Sequence, residues 1–182
     1  MYPVYSVGGI TLSEVPGKTS LVIEFYNCKQ HCKGCHSSHL WDTAEQYEGN
    51  PRACLSLLGI LSLVESSMNE DISCILLMGG TTNGIPLSDL KTLVETLGRK
   101  FGCPVALYSG LPEEETPMKE MLSWFGLDYL KTGDYRDDLG GLENPKTNQK
   151  FYQKDFNHSY KDGCLKLHPF WQDITFKFRS KK

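Results

Sequence analysis

The chain has 182 residues, 40% of them hydrophobic and 23% charged, ordinary proportions for a single globular domain. Its formal net charge of −3 excludes a generally basic nucleic-acid-binding coat, and no apolar run approaches the roughly 18 residues that a membrane helix needs. The charge is uneven: residues 150–182 carry eight Lys/Arg against three Asp, while residues 1–149 carry eleven against nineteen acidic residues. The opening Met1-Tyr2-Pro3-Val4-Tyr5 has no charged segment leading into an apolar stretch, so it does not read as a signal peptide and a cytoplasmic location is expected. In that reducing compartment the seven cysteines, an odd number, do not suggest a disulfide framework.

In chain order, Ser20–Tyr26 reads as a strand with Leu21, Ile23 and Phe25 on one face. Three cysteines follow on the loop at its C-terminal end. Cys54, Leu57, Leu58, Leu61, Val64 and Met68 recur at helical spacing and predict an amphipathic helix over about 52–68. Ile72–Met78 reads as a buried strand ending at Gly79-Gly80. Leu87, Leu90, Val94, Leu97 and Phe101 predict a second helix, ended by Gly102. Pro104–Tyr108 reads as a strand ending at Ser109-Gly110. Pro117 suits the first turn of a third helix carrying Met118, Met121, Leu122 and Phe125. Leu127–Lys131 is a fourth strand, 134–150 reads as loop, and Ile174–Phe178 as a last strand. Alternating strands and helices argue for an α/β fold with a mostly parallel sheet. Such sheets bind ligands beyond the C-terminal ends of their strands, where the cysteines, Gly79-Gly80, Ser109-Gly110 and Thr132-Gly133 all fall.

Cys28, Cys32 and Cys35 form a C-x3-C-x2-C triplet. Three readings of the residues are open. A structural zinc site needs a fourth ligand, which His31, His36 or His39 can supply. A redox dithiol uses Cys32 and Cys35 and leaves Cys28 without a role. An iron–sulfur cluster held by three thiolates leaves one iron open to a further ligand. Cys54, Cys74 and Cys103, singly placed among apolar neighbours, read as small core residues, and Cys164 is assigned no role.

The triplet is also the signature spacing of the radical S-adenosylmethionine enzymes. The segments GCHSSHLWD (34–42), MGG (78–80), LYSG (107–110) and LKTGDYRDDLGGLENPKTNQKFY (130–152) resemble the activating enzymes of anaerobic (class III) ribonucleoside-triphosphate reductases, as do EVPG (14–17) and WQDIT (171–175). The resemblance implies a single radical S-adenosylmethionine domain folded as a partial (β/α) barrel. It implies one 4Fe–4S cluster on Cys28, Cys32 and Cys35, S-adenosyl-L-methionine on the open iron, and reductive cleavage that yields a 5′-deoxyadenosyl radical. That radical would take a hydrogen atom from a glycine of the reductase, with the electron supplied by a donor such as flavodoxin or ferredoxin. Gly34, Cys35, His36, Gly79 and Gly80 match the family's cofactor-contacting positions. The position after Gly80 is usually acidic in the family and is Thr81 here. A different glycyl radical enzyme as partner, or a non-catalytic zinc or iron–sulfur protein, is the alternative.

Among the remaining residues, Lys131 sits at a strand end and is either a surface lysine or a cation for the cofactor's carboxylate. Glu24 reads as partly covered on its strand, and Trp41 as a hydrophobic lid beside the cysteine loop. Glu113–Glu115 favour a helix start. The loop at 134–150 and the basic tail at 150–182 are candidate contacts for the reductase.

Overall fold

A computed structural model describes residues 1–41, 54–161 and 164–179, with side chains outside 158–166. Seven strands form one sheet in sequential order: β1 Val4–Thr11, β2 Ser20–Phe25, β3 Cys74–Met78, β4 Val105–Tyr108, β5 Leu127–Thr132, β6 Lys150–Lys161 and β7 Cys164–Asp173. β2 to β5 are parallel, but β1, β6 and β7 run antiparallel to their neighbours. The sheet is therefore mixed, with three α-helices among the described residues, and the expected mostly parallel partial (β/α) barrel is not what the chain forms.

The physical reason lies in the connections. Parallel neighbours need a long crossover, usually a helix. Such crossovers exist between β2 and β5: α1 Leu57–Ser67, α2 Leu87–Phe101 and the single turn α3 Met118–Met121. Residues 133–149 form no helix, so β6 returns beside β5 in the opposite sense. The basic tail is thus no tail. Most of it is the β6–β7 hairpin, closed by a 3-10 turn at Thr175–Phe178 where a strand was expected.

The two sheet faces have different cover. Leu21, Ile23, Phe25, Ile75, Leu77 and Leu107 pack with Ile60, Val64, Leu90, Leu93, Val94 and Leu97 of α1 and α2. Val22, Leu76, Ala106, Tyr129 and Phe151 face the other way and meet Val15, Leu142 and Ile174 from loops. The expected alternation of β2 is thereby present. α2 follows its predicted phase and stops at Gly102. α1 does not begin at 52: it starts at Leu57, capped by the Ser56 side chain accepting from the Gly59 N–H, and residues 52 and 53 lie outside the described residues. Leu58 is 77% exposed and Cys54 is exposed, so neither is core. Phe125 is likewise exposed, and Trp124 takes the buried place beneath α3. No described helix is long and apolar enough to cross a membrane.

Leu58 and Ile60 separate the two phases of α1. Ile60→Ala should destabilise the protein by about 2–5 kcal/mol, and Leu58→Ala by no more than about 0.5 kcal/mol. Urea unfolding of both variants checks this, and equal costs would place Leu58 in the core.

Candidate functional site

The parallel strands align Glu24, Met78, Tyr108 and Lys131 in one cross-strand row at their C-terminal ends. These residues alternate with Ile23, Leu77 and Leu107, so they stand on the loop-covered face. Above that row lies a cavity of about 670 Å³. Cys28, Cys32, Cys35 and His36 line it, together with Gly79, Thr82, Asn83, Ser109, Gly110 and Lys131. Leu12, Glu14, Pro16, Leu142 and Phe178 supply walls from the loops that cover this face.

The cysteine loop owes its course to a few backbone bonds. The Cys28 N–H donates to the Leu40 carbonyl, and the Lys29 N–H to the Thr82 carbonyl. The Cys35 N–H donates to the Cys32 carbonyl, closing a turn. Asn27 and His31 both hold positive φ, as does Gly34 at +75°. A Cβ on Gly34 would stand 2.8 Å from the Asp137 carboxylate, so this position sets the packing of the cysteine loop on the loop after β5. Gly34 itself does not line the cavity.

The Gly79-Gly80 turn is held by Asn83, a buried side chain. Its Oδ1 accepts from the Gly80 N–H at 2.7 Å, and its Nδ2 donates to the carbonyls of Phe25 and Tyr26 at 2.9 Å each. One amide therefore ties the end of β3 to the end of β2. Gly79 and Gly80 have φ of +99° and +111°, which side chains other than glycine's resist. Only Gly79 lines the cavity. A Cβ on Gly80 would meet Leu90 at 2.9 Å, on the helix side of the sheet. Gly80 thus makes room for the core, and it does not line the cavity although its match to a cofactor-contacting position implied that it would.

Thr81 does not line the cavity either, and its hydroxyl donates to Ser109 Oγ at 3.1 Å. The neighbouring residues do the work at this turn. Thr82 Oγ1 lies 3.4 Å from Cys28 Sγ. Of the three histidines, His36 lines the cavity, His31 stacks on Trp41, and His39 lies 3.4 Å from the Glu24 carboxylate. Glu24 is engaged there and by the Ser6 hydroxyl at 2.6 Å.

Sequence reasoning passed over Glu14 and Tyr108, although both sit in segments singled out for resemblance. The Tyr108 hydroxyl donates to the Glu14 backbone carbonyl and carboxylate, at 2.6 and 2.8 Å. Burial, and then the Glu14 charge, hold Tyr108 well above its ordinary pKa. Lys131 Nζ stands 5.3 Å over the Tyr108 ring. Burial of its ammonium pulls Lys131 down to about 8, against the opposing pull of Glu14, Cys32 and Cys35. Among the described residues no carboxylate lies within ion-pair distance of it.

The donor set suits an iron–sulfur cluster in its chemistry, since such clusters are held by cysteine thiolates. Three thiols from one eight-residue loop share one cavity wall. Burial, followed by the charges of Cys35, Asp134 and Cys28, pushes the Cys32 thiol up against a lowering backbone hydrogen bond at Tyr135. A bound cation favours the thiolate and so opposes both the burial and the neighbouring charges. Among the described residues no three His, Cys, Asp or Glu side chains are drawn together as a coordinating set, so the sulfurs share a wall without meeting at a point.

The loop at 134–150 is closed on itself. Asn148 donates to the carbonyl and carboxylate of Asp134, Thr147 to the Gly140 carbonyl, and Gln149 to the Gly133 carbonyl. Leu142 is buried. It forms part of the cavity wall. Phe178 packs edge-on against Phe151 at 5.1 Å, so the end of the chain has a structural place as well.

No family model matches the chain, and neither the curated proteins nor the solved structures yield a match.

Asn83→Ala should cost about 1–3 kcal/mol, because it leaves a buried N–H and two carbonyls without their partner. Chemical denaturation measures this, and a cost under about 0.5 kcal/mol would mean that the turn does not depend on Asn83.

Proposed function

We propose that the protein is a radical S-adenosylmethionine enzyme that activates an anaerobic ribonucleoside-triphosphate reductase. The observation that carries this reading is the gathering of Cys28, Cys32 and Cys35, Gly79 and Lys131 around one cavity at the C-terminal ends of the parallel strands. The resemblance of the quoted segments supplies the choice of reaction and partner.

In this reading Cys28, Cys32 and Cys35 hold a 4Fe–4S cluster. When bound, the cluster and S-adenosyl-L-methionine supply one-electron cleavage of the sulfonium and removal of a hydrogen atom from a glycine of the reductase. The chain's own residues place the reactants and limit access. Gly79 presents backbone without a side chain beside the cysteine loop. Lys131 offers a positive charge within the cavity to the amino acid's carboxylate. Its charged form is disfavoured by burial in the free protein, and a bound carboxylate restores that balance. Glu14, anchored by Tyr108, offers negative charge for the ammonium, a role the uncharged Thr81 hydroxyl does not fill. Leu142, Phe178 and Trp41 line the cavity and restrict water near the reacting atoms.

The reductase would approach over the rim formed by the cysteine loop and residues 134–143. A one-electron donor of the flavodoxin or ferredoxin kind completes the reaction. Thiols kept reduced suit a cytoplasmic location.

Anaerobic reconstitution with iron and sulfide tests the ligand set. Cys28→Ala, Cys32→Ala and Cys35→Ala should each lose the brown cluster, while Cys74→Ala keeps the iron content of the unaltered chain. Iron retained by all three, or zinc bound in its place, would overturn the assignment. Lys131→Met should weaken S-adenosylmethionine binding about tenfold or more, as expected for one charge-assisted hydrogen bond of about 1.5–3 kcal/mol. Calorimetric titration of the reconstituted protein reads the change, and unaltered affinity would remove Lys131 from the binding site.

A further inference from the structure

We propose that Thr82 tunes the electron affinity of the iron–sulfur centre through a hydrogen bond to Cys28, an inference that rests on the cluster assignment above. Thr82 is a positioning residue, since it acts through the cysteine sulfur. Its side chain is buried and its hydroxyl oxygen stands 3.4 Å from Cys28 Sγ. The contact is held from the backbone side by the Lys29 N–H, which donates to the Thr82 carbonyl at 3.0 Å. The Thr82 methyl faces Gly110, where an added Cβ would come within 3.2 Å of it, so the absence of a side chain there leaves room for Thr82.

The direction of the hydrogen bond follows from the acceptors on offer. The hydroxyl has one proton: with the thiol free it donates to Asn83 Oδ1 at 3.3 Å, while in the contact with Cys28 Sγ either atom can be the donor. Asn83 Oδ1 already accepts the Gly80 N–H at 2.7 Å. A cysteine sulfur bound to iron has lost its proton and carries negative charge, so it can only accept and is the stronger acceptor of the two. Hydrogen bonds to cluster sulfurs are among the factors that set reduction potential. The reduced cluster holds one more electron, taken from the external donor, and places more negative charge on its sulfurs. A donor at Cys28 therefore stabilises the reduced state more than the oxidised state and raises the potential. Sequence reading stopped at Thr81, the position its family pattern marks, and left Thr82 without a role.

The test is an anaerobic redox titration, followed by electron paramagnetic resonance, of the full chain reconstituted with iron and sulfide. Thr82→Val keeps the shape and removes the hydroxyl; Thr82→Ser keeps the hydroxyl. Thr82→Val should shift the one-electron reduction equilibrium about tenfold toward the oxidised cluster, about 59 mV lower. Thr82→Ser should titrate with the unaltered chain. Iron content should be equal in all three, which separates tuning from loss of structure. Thr82→Ala removes the same hydroxyl and should reproduce the shift if the valine variant folds poorly. An unaltered potential in Thr82→Val or Thr82→Ala with full iron content would overturn this inference and leave the cluster assignment standing. An unaltered chain that takes up no cluster would overturn both.

Discussion

One buried amide holds the site together. Asn83 takes the Gly80 N–H and gives its own two N–H groups to the carbonyls of Phe25 and Tyr26. Those carbonyls lie where β2 ends and the cysteine loop begins. Backbone polar groups buried at a strand end need partners, and here a single side chain supplies them for two strands at once. The adjoining Thr82 extends the tie by its carbonyl to Lys29 and its hydroxyl to Cys28. The cysteine loop and the Gly79-Gly80 turn are therefore tied together by hydrogen bonds, although 43 or more residues separate them in the chain.

The electrostatics of the cavity follow from the strand register. The row that places Met78 beside Tyr108 also brings Tyr108 beside Lys131. A lysine here is costly to keep charged, because its ammonium faces low-dielectric surroundings, and this is visible in its lowered pKa. Tyr108 is pinned to Glu14 and stays protonated. A cation, an anchored carboxylate and three thiols thus share one partly apolar space. Perturbed groups gathered in a cavity are what binding sites commonly show, and an amino-acid ligand carrying both charges matches this pair.

The parts of the fold legible in the sequence were those governed by local periodicity. β2, β3, α2, β4 and β5 lie where apolar spacing placed them, and α2 ends at the expected glycine. The sheet's outer strands were not legible. β1 contains Gly8-Gly9 and breaks its pairing register twice, so it carries no clean alternation. β6 and β7 stabilise each other chiefly as a paired hairpin, with exposed Phe156 and Leu167 in place of a buried stripe. The sense of β6 depended on a helix that never forms between β5 and β6. Of the candidate site residues, Cys28, Cys32, Cys35, His36 and Gly79 line the cavity, while Gly34 and Gly80 do not. What was hidden were its supports, Asn83, Thr82, Glu14 and Tyr108, because each acts through a partner between about 54 and 94 positions away, beyond any local pattern.

The central claim is that three cysteines on the loop after β2 hold a cluster whose open iron engages S-adenosylmethionine. Its most direct test is product analysis after chemical reduction of the anaerobically reconstituted protein in the presence of S-adenosylmethionine. The account predicts methionine and 5′-deoxyadenosine in equal amounts, formed by the unaltered chain and absent from Cys32→Ala. A protein that carries a full, reducible cluster and leaves S-adenosylmethionine intact would contradict it.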